Sequence, residues 1–347
     1  MKILIRTGGG RGKNKELGLG HIFRTLNLAK RLKGMKIIFL IEDFGGAKEE
    51  IQEQGFKNIF VIQKKIRLEN DIKNTYEIIS KEEVDLVIID QFKITKEYVE
   101  KINEKTKVVV ISDLKNIDYR CNLLINGFIG FKDQKIHNKY NSKCLLGPSY
   151  QILNEEFYKE KQKLKKQFKI LITFGGFDEN NITQLILNIL SKKQKLLKSK
   201  IILGPATPKN RYKQFTKKYK NIFEISQKTN NMFREISQSE FGICSGGITT
   251  YEFAKLGVPF GIICQSEHQL KTAKEWEKIG IGENLGLINS RTKAKVEKFL
   301  EKIEKKEIKT KLNGKTRNNE KGIDEIIKNI INLANSQDNN LLERISS

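Results

Sequence analysis

Apolar and polar positions alternate along the chain in two long series of the same kind. Short continuous apolar runs, such as Ile3–Ile5, Lys36–Ile41, Val84–Asp90 and Lys107–Ser112, read as buried strands. Between them lie segments with apolar residues at helical spacing: His21–Leu32, Lys48–Gln54, Glu69–Ser80 and Lys96–Glu104. Asn58–Ile62, Asn122–Ile125 and Lys143–Leu146 add shorter strands. Fully apolar strands separated by amphipathic helices predict a parallel sheet covered on both faces.

Gly147–Phe157 breaks the rhythm and a basic stretch, Lys159–Lys169, follows. The rhythm then restarts. Strands are predicted at Lys169–Phe174, Lys200–Leu203, Ile222–Ile225, Phe241–Cys244 and Phe260–Cys264. Helices are predicted at Asn181–Leu190, capped by Asn180 or Asn181, and at Met232–Gln238, Thr249–Leu256 and His268–Lys278, with polar helices after Ser290. The expected organisation is α/β: a Rossmann-like domain over 1–157, a second over 158–336, and a loosely ordered tail over 337–347.

Composition narrows the function classes. Charged residues make up 31% and hydrophobic ones 38% of the 347 residues, and no apolar run is long enough to span a membrane. The start enters a strand directly rather than a secretion signal. Cys121, Cys144, Cys244 and Cys264 lie far apart without metal-ligand spacing and sit among apolar neighbours, which suits a cytoplasmic protein. The net charge of +24 suits an anionic small substrate. It comes without aromatic–basic interleaving, so nucleic acid is not an expected partner. Peripheral membrane contact stays open, and the oligomeric state is not legible.

In parallel sheets the working residues lie beyond the C-terminal strand ends. That rule puts the loop before His21, then Asp90 with Gln91, Asp113 and Asn126 along one rim. His21 follows Gly18 and Gly20 at the predicted start of a helix, where the dipole favours anions and pushes an imidazole towards its neutral, proton-accepting form. Asp90 and Asp113 serve equally well as strand-end or capping carboxylates. In the second half, Gly246 and Gly247 let backbone N–H groups approach a ligand at a helix start, and diphosphate is the natural guest. Glu252 follows within the first turns, placed to grip ribose hydroxyls. A glycine turn with an ordinary helix-start carboxylate accounts for the same residues. Gly175 and Gly176 offer a similar approach or a tight turn, and His268 reads as a surface or capping residue. Neither the dinucleotide fingerprint nor the Walker loop is present, and no cofactor or metal is expected.

Together these motifs resemble the UDP-2,4-diacetamido-2,4,6-trideoxy-altropyranose hydrolases of pseudaminic acid synthesis, a family similar to the MurG-type glycosyltransferases of the GT-B superfamily. The resemblance rests on Gly18-Leu19-Gly20-His21-Ile22 with Arg24, and on Leu146-Gly147-Pro148 with Tyr150, Glu156 and Phe157. It continues through Phe174-Gly175-Gly176 with Asp178, and Ser245-Gly246-Gly247-Ile248-Thr249-Thr250-Tyr251-Glu252 with Ala254, Leu256-Gly257 and Pro259. It implies a GT-B fold with a central cleft and catalysis by His21. Gly18, Gly20, Arg24, Asp113, Asn126 and Tyr150 would bind the sugar. Gly175, Gly176, Ser245, Gly246, Gly247, Ile248, Thr249, Glu252 and Gln269 would bind UDP. The implied reaction is hydrolysis of a UDP-linked amino-deoxy sugar for nonulosonic acid or another surface glycan. A glycosyltransferase of the same fold and a non-catalytic nucleotide-sugar binder are the alternatives. The chain departs from that family in carrying Arg6-Thr7-Gly8 where an aspartate is usual, a lengthened 7–17 loop, and Asn154 where arginine is frequent.

Overall fold

The computed structural model describes residues 1–10, 18–159, 164–308 apart from 177, 179, 206 and 230, and 320–336. Most of the 7–17 loop, part of the basic linker and the expected tail over 337–347 lie outside the described residues.

The first half runs β1 (Lys2–Gly9), α1 (Gly20–Ala29), β2 (Lys36–Asp43), α2 (Ala47–Glu53), β3 (Ile59–Ile62), α3 (Leu68–Glu82), β4 (Leu86–Asp90), α4 (Lys96–Lys105) and β5 (Lys107–Ile111). It ends in β6 (Leu123–Asn126), β7 (Gln134–His137) and β8 (Lys143–Leu146). These strands form one sheet ordered β3-β2-β1-β4-β5-β6-β8-β7, parallel except for the antiparallel β7–β8 pair. Strands such as β4 are buried along their whole length because helices cover both faces. β7 was missed in the sequence: Gln-Lys-Ile-His is a mostly exposed edge with no apolar run.

Two short turns, Pro148–Tyr150 and Glu155–Phe157, lead into the second half. It runs β9 (Phe168–Thr173), α5 (Ile182–Leu190), β10 (Ser199–Leu203), α6 (Lys213–Lys218), β11 (Phe223–Gln227), α7 (Met232–Ser237), β12 (Ser239–Cys244) and α8 (Thr249–Leu256). Then come β13 (Phe260–Cys264), α9 (Glu267–Ile279), β14 (Gly282–Leu287), α10 (Thr292–Glu304) and α11 (Glu320–Asn335). The second sheet is wholly parallel, ordered β11-β10-β9-β12-β13-β14. α6 and β14 were not anticipated; β14 reads Gly-Glu-Asn-Leu-Gly-Leu, too polar to announce a strand.

Both sheets reverse their winding direction beside their first strand, between β1 and β4 and between β9 and β12. Ligands of open α/β sheets bind at such switch points. The loop to His21 leaves β1 and Asp90 ends β4; Gly175-Gly176 follows β9 and Ser245-Gly246-Gly247 follows β12. Both motif pairs therefore stand where this topology puts ligands.

One apolar cluster runs through the domain junction, from Ile3, Ile22 and Leu26 to Phe253, Phe260 and Trp276. Phe157 meets Phe233 edge-to-face at 5.7 Å there. α11 packs back onto the first sheet through buried Ile323, Ile326 and Ile330. Lys143 Nζ donates to Asn329 Oδ1 at 2.6 Å and Tyr150 Oη donates to Glu325 Oε2 at 3.3 Å. The stretch 158–336 thus includes a helix that completes the core of the other half. Among the described residues no helix is long and apolar enough to cross a membrane.

Candidate active site

α1 begins at Gly20 without a side-chain cap, so His21 occupies its first turn and points to the end of β4. His21 Nδ1 lies 2.7 Å from Asp90 Oδ1. Asp90 is fully buried, and its other contacts come from Arg24: Nε donates to Oδ2 at 2.8 Å and Nη2 to Oδ1 at 2.6 Å. Arg24 also donates through Nη1 to Asp113 Oδ1 at 2.6 Å. Arg24 Nη2, a donor, also lies 3.1 Å from Nδ1, but the shorter contact is to the carboxylate, which can only accept; it favours the tautomer whose Nδ1 proton faces Asp90 and whose Nε2 carries the lone pair. Burial works against an ionised Asp90, but the Arg24 charge outweighs it, with the His21 contact acting in the same direction, and the carboxyl is held below its ordinary range. Asp113 shows the same balance, with burial opposing and Arg24 prevailing, and lies well below that range.

The rings continue across the cleft. Phe92, 41% exposed just after β4, stands edge-on to His21 at 6.4 Å and 6.2 Å from His268 in the first turn of α9. Burial lowers the His268 imidazole below its usual value; Asp113 pulls the other way, while His21 and Arg24 add to the lowering. Closer contact occurs at Gly176, where an added Cβ would stand 3.6 Å from the Leu19 backbone nitrogen in the Gly18–Gly20 loop.

In the second domain α8 starts at Thr249 with no side-chain cap, and the Thr250 and Tyr251 N–H groups bond to the Gly247 and Ile248 carbonyls at 3.1 and 2.9 Å. A Cβ on Gly246 would come within 2.7 Å of the Gln269 carbonyl oxygen, so only glycine fits that packing. Gln269 Oε1 accepts from the Gln265 N–H at 2.9 Å, which ties the β13–α9 connection to the start of α9. Glu252 is partly exposed, and burial raises its carboxyl to about 7, the Thr249 contact opposing. A proton held more tightly when folded stabilises the fold fully below the unfolded value of 4.5, and that contribution is lost as pH rises through 7. Wild type should therefore lose on the order of 2 kcal/mol between pH 5 and pH 8 relative to Glu252→Gln. Urea unfolding of both proteins at both pH values checks this; parallel losses would remove Glu252 as the cause.

Several motif residues have internal duties. Asn126 is fully buried: Nδ2 donates to Ser112 Oγ at 3.0 Å and to the Leu114 carbonyl at 2.9 Å, and Oδ1 accepts from the Phe128 N–H at 2.9 Å. Tyr150 is also buried and gives its hydroxyl to α11. Asn126 and Tyr150, expected at the sugar, thus also tie the 112–128 segment and α11 into the protein. Asn181 holds the N-cap position of α5, as expected, but makes no side-chain bond to the helix; Asp178 accepts from the Ile182 and Thr183 N–H groups instead, both at 2.8 Å. Arg6 is buried and paired with Asp71, Nε to Oδ1 at 2.9 Å and Nη2 to Oδ2 at 2.7 Å. The sequence missed Phe92 and the pairing of Asp90 with His21; the acid ending an apolar strand was the available signal. Among the described residues no three His, Cys, Asp or Glu side chains gather as for a metal ion.

Residues 149–330 match the glycosyltransferase family 28 C-terminal domain. The chain is 30% identical over 284 residues to the spore coat polysaccharide biosynthesis protein SpsG of Bacillus subtilis, covering 78% of this chain and 81% of that protein. It is 31% identical over 298 residues to an uncharacterized protein of Methanocaldococcus jannaschii, which covers 80% of this chain. The match spans only 58% of that relative's length. Among solved structures, MurG of Acinetobacter baumannii superposes with a TM-score of 0.67 at 14% identity, over 96% of this chain and 100% of that one. That likeness establishes the fold: two Rossmann-like domains in the MurG-type GT-B arrangement.

Proposed function

Because this chain belongs to the family that carries the glycosyltransferase family 28 C-terminal domain, we propose that it hydrolyses a UDP-linked amino-deoxy sugar during surface-glycan synthesis. The observation that carries the reading is the His21–Asp90 pair at the switch point of one sheet, with a glycine-opened helix start at the switch point of the other. The diphosphate rests on the backbone N–H groups of Gly246–Thr249, and Glu252 accepts from the ribose hydroxyls. Water approaches the anomeric carbon from the His21 side. As its oxygen bonds to that carbon, Nε2 takes the proton, the carbon–oxygen bond to phosphate breaks, and UDP leaves with the electron pair. Asp90 supports the imidazolium that forms, and the helix start stabilises the departing charge.

The matched family description and the SpsG likeness favour a second reading, transfer of the sugar to an acceptor hydroxyl activated by the same nitrogen. Mixing the protein with UDP-amino-deoxy sugars alone separates the two. Release of UDP without acceptor supports hydrolysis, and release that needs an added saccharide or lipid acceptor supports transfer. Tight UDP binding without turnover in either mixture would overturn both and leave a binding protein.

A further inference from the structure

Tyr251 lies between two residues proposed for the nucleotide seat, Thr249 and Glu252, yet its hydroxyl serves the other domain. The Ile129 N–H donates to Tyr251 Oη at 3.1 Å. On its own side Tyr251 is fixed by Trp276, which meets its ring edge-to-face at 5.1 Å. Trp276 Nε1–H in turn donates to Thr250 Oγ1 at 2.9 Å, and Thr250 Oγ1 donates to the Gly247 carbonyl at 2.7 Å. A shift of the Gly246–Gly247 loop is therefore felt by the Tyr251 ring.

The receiving loop is equally braced. Gly127 packs so closely on Gln151 that an added Cβ would lie 2.6 Å from the Gln151 Cα. Phe128 N–H is held by Asn126, whose amide reaches Ser112 and Leu114 on either side of Asp113. Asp113 accepts from Arg24, and Arg24 shares Asp90 with His21. A continuous set of hydrogen bonds and packed groups thus joins the helix start of α8 to the imidazole across the cleft.

We infer that Tyr251 is a positioning residue that carries nucleotide occupancy of the 245–252 loop into the 126–131 loop, and so sets the sugar side for reaction only when UDP is seated. The inference rests on the proposed nucleotide seat. It also assigns Asn126 a role: its buried amide holds the receiving loop. Removing one hydroxyl while keeping the ring on Trp276 leaves the nucleotide contacts in place and uncouples the two domains.

The test uses the full chain, Tyr251→Phe, and amide hydrogen exchange with and without UDP. In wild type, UDP should slow exchange at Ile129 on the order of tenfold. In Tyr251→Phe, UDP affinity should stay within about twofold while that protection disappears, and kcat for UDP release should fall on the order of tenfold at nearly constant KM, with Tm lowered by no more than a few degrees. UDP protecting Ile129 equally in the variant, or failing to protect it in a wild type that binds UDP, would overturn the coupling alone. Loss of UDP affinity, kcat and Tm together would show a merely structural tyrosine and overturn it too. A wild type that does not bind UDP would instead remove the nucleotide seat on which the inference stands.

Discussion

His21→Ala should lower the turnover of UDP release by on the order of a hundredfold or more while UDP binds nearly as well as to wild type. The asymmetry follows from where the side chain sits. His21 is on the first turn of α1, away from the proposed diphosphate seat in the sequence of elements, and its ring is held by Asp90 and Arg24 of the first domain. Its removal takes away the proton acceptor in the transition state but no group that holds the nucleotide. The fold should tolerate the change, because Asp90 keeps both Arg24 hydrogen bonds and the imidazole itself is at the cleft surface. Calorimetric UDP titration alongside steady-state release measures both halves of this expectation. Unchanged turnover would remove His21 as the base, and an equal loss of UDP affinity would mean that the histidine belongs to the nucleotide site.

Asp90→Asn should come close to the same loss in turnover, on the order of a hundredfold, with little effect on UDP affinity. The carboxylate accepts from three donors: His21 Nδ1 and two nitrogens of Arg24. An amide offers one accepting oxygen and one donating nitrogen; the Oδ1 position faces both Nδ1 and Arg24 Nη2, and the Oδ2 position faces Arg24 Nε. In either orientation the NH2 therefore sets donor against donor with Arg24 in a fully buried place. At the Oδ1 position it also selects the tautomer with the proton on Nε2, which can no longer accept one. Either outcome also removes the negative charge that supports the imidazolium. A nuclear magnetic resonance spectrum of the imidazole nitrogens would read the tautomer directly: protonation at Nδ1 is expected in wild type. Nδ1 deprotonated in wild type would overturn the assigned role of Asp90.

Much of the architecture was legible because burial leaves a strong mark on sequence. Apolar strands such as Leu86–Asp90 and helices such as Thr249–Leu256 stand out by period alone, and glycine pairs mark the turns beyond β9 and β12. β7 and β14 escaped for the opposite reason, since a sheet edge can be built from polar residues whose pairing is backbone-to-backbone. The return of α11 to the first sheet was also hidden, because amphipathicity tells that a face is covered without telling by what. At the site, His21 could be placed by its helix start and glycines. Its partner could not, because Asp90 is 69 residues away in sequence and any of several rim carboxylates would have looked the same. Asn126 and Tyr150 show the converse limit: the internal hydrogen bonds that their side chains make to distant segments leave no mark in the motif.

The most direct test of the central claim is hydrolysis in water enriched in oxygen-18, with a UDP-linked amino-deoxy sugar and no acceptor, followed by mass spectrometry of both products. Attack by a His21-activated water at the anomeric carbon should place the heavy oxygen in the sugar and none in UDP. Heavy oxygen in UDP would mean that the phosphate bond is cut instead, and no release at all without an acceptor would mean that water is not the nucleophile.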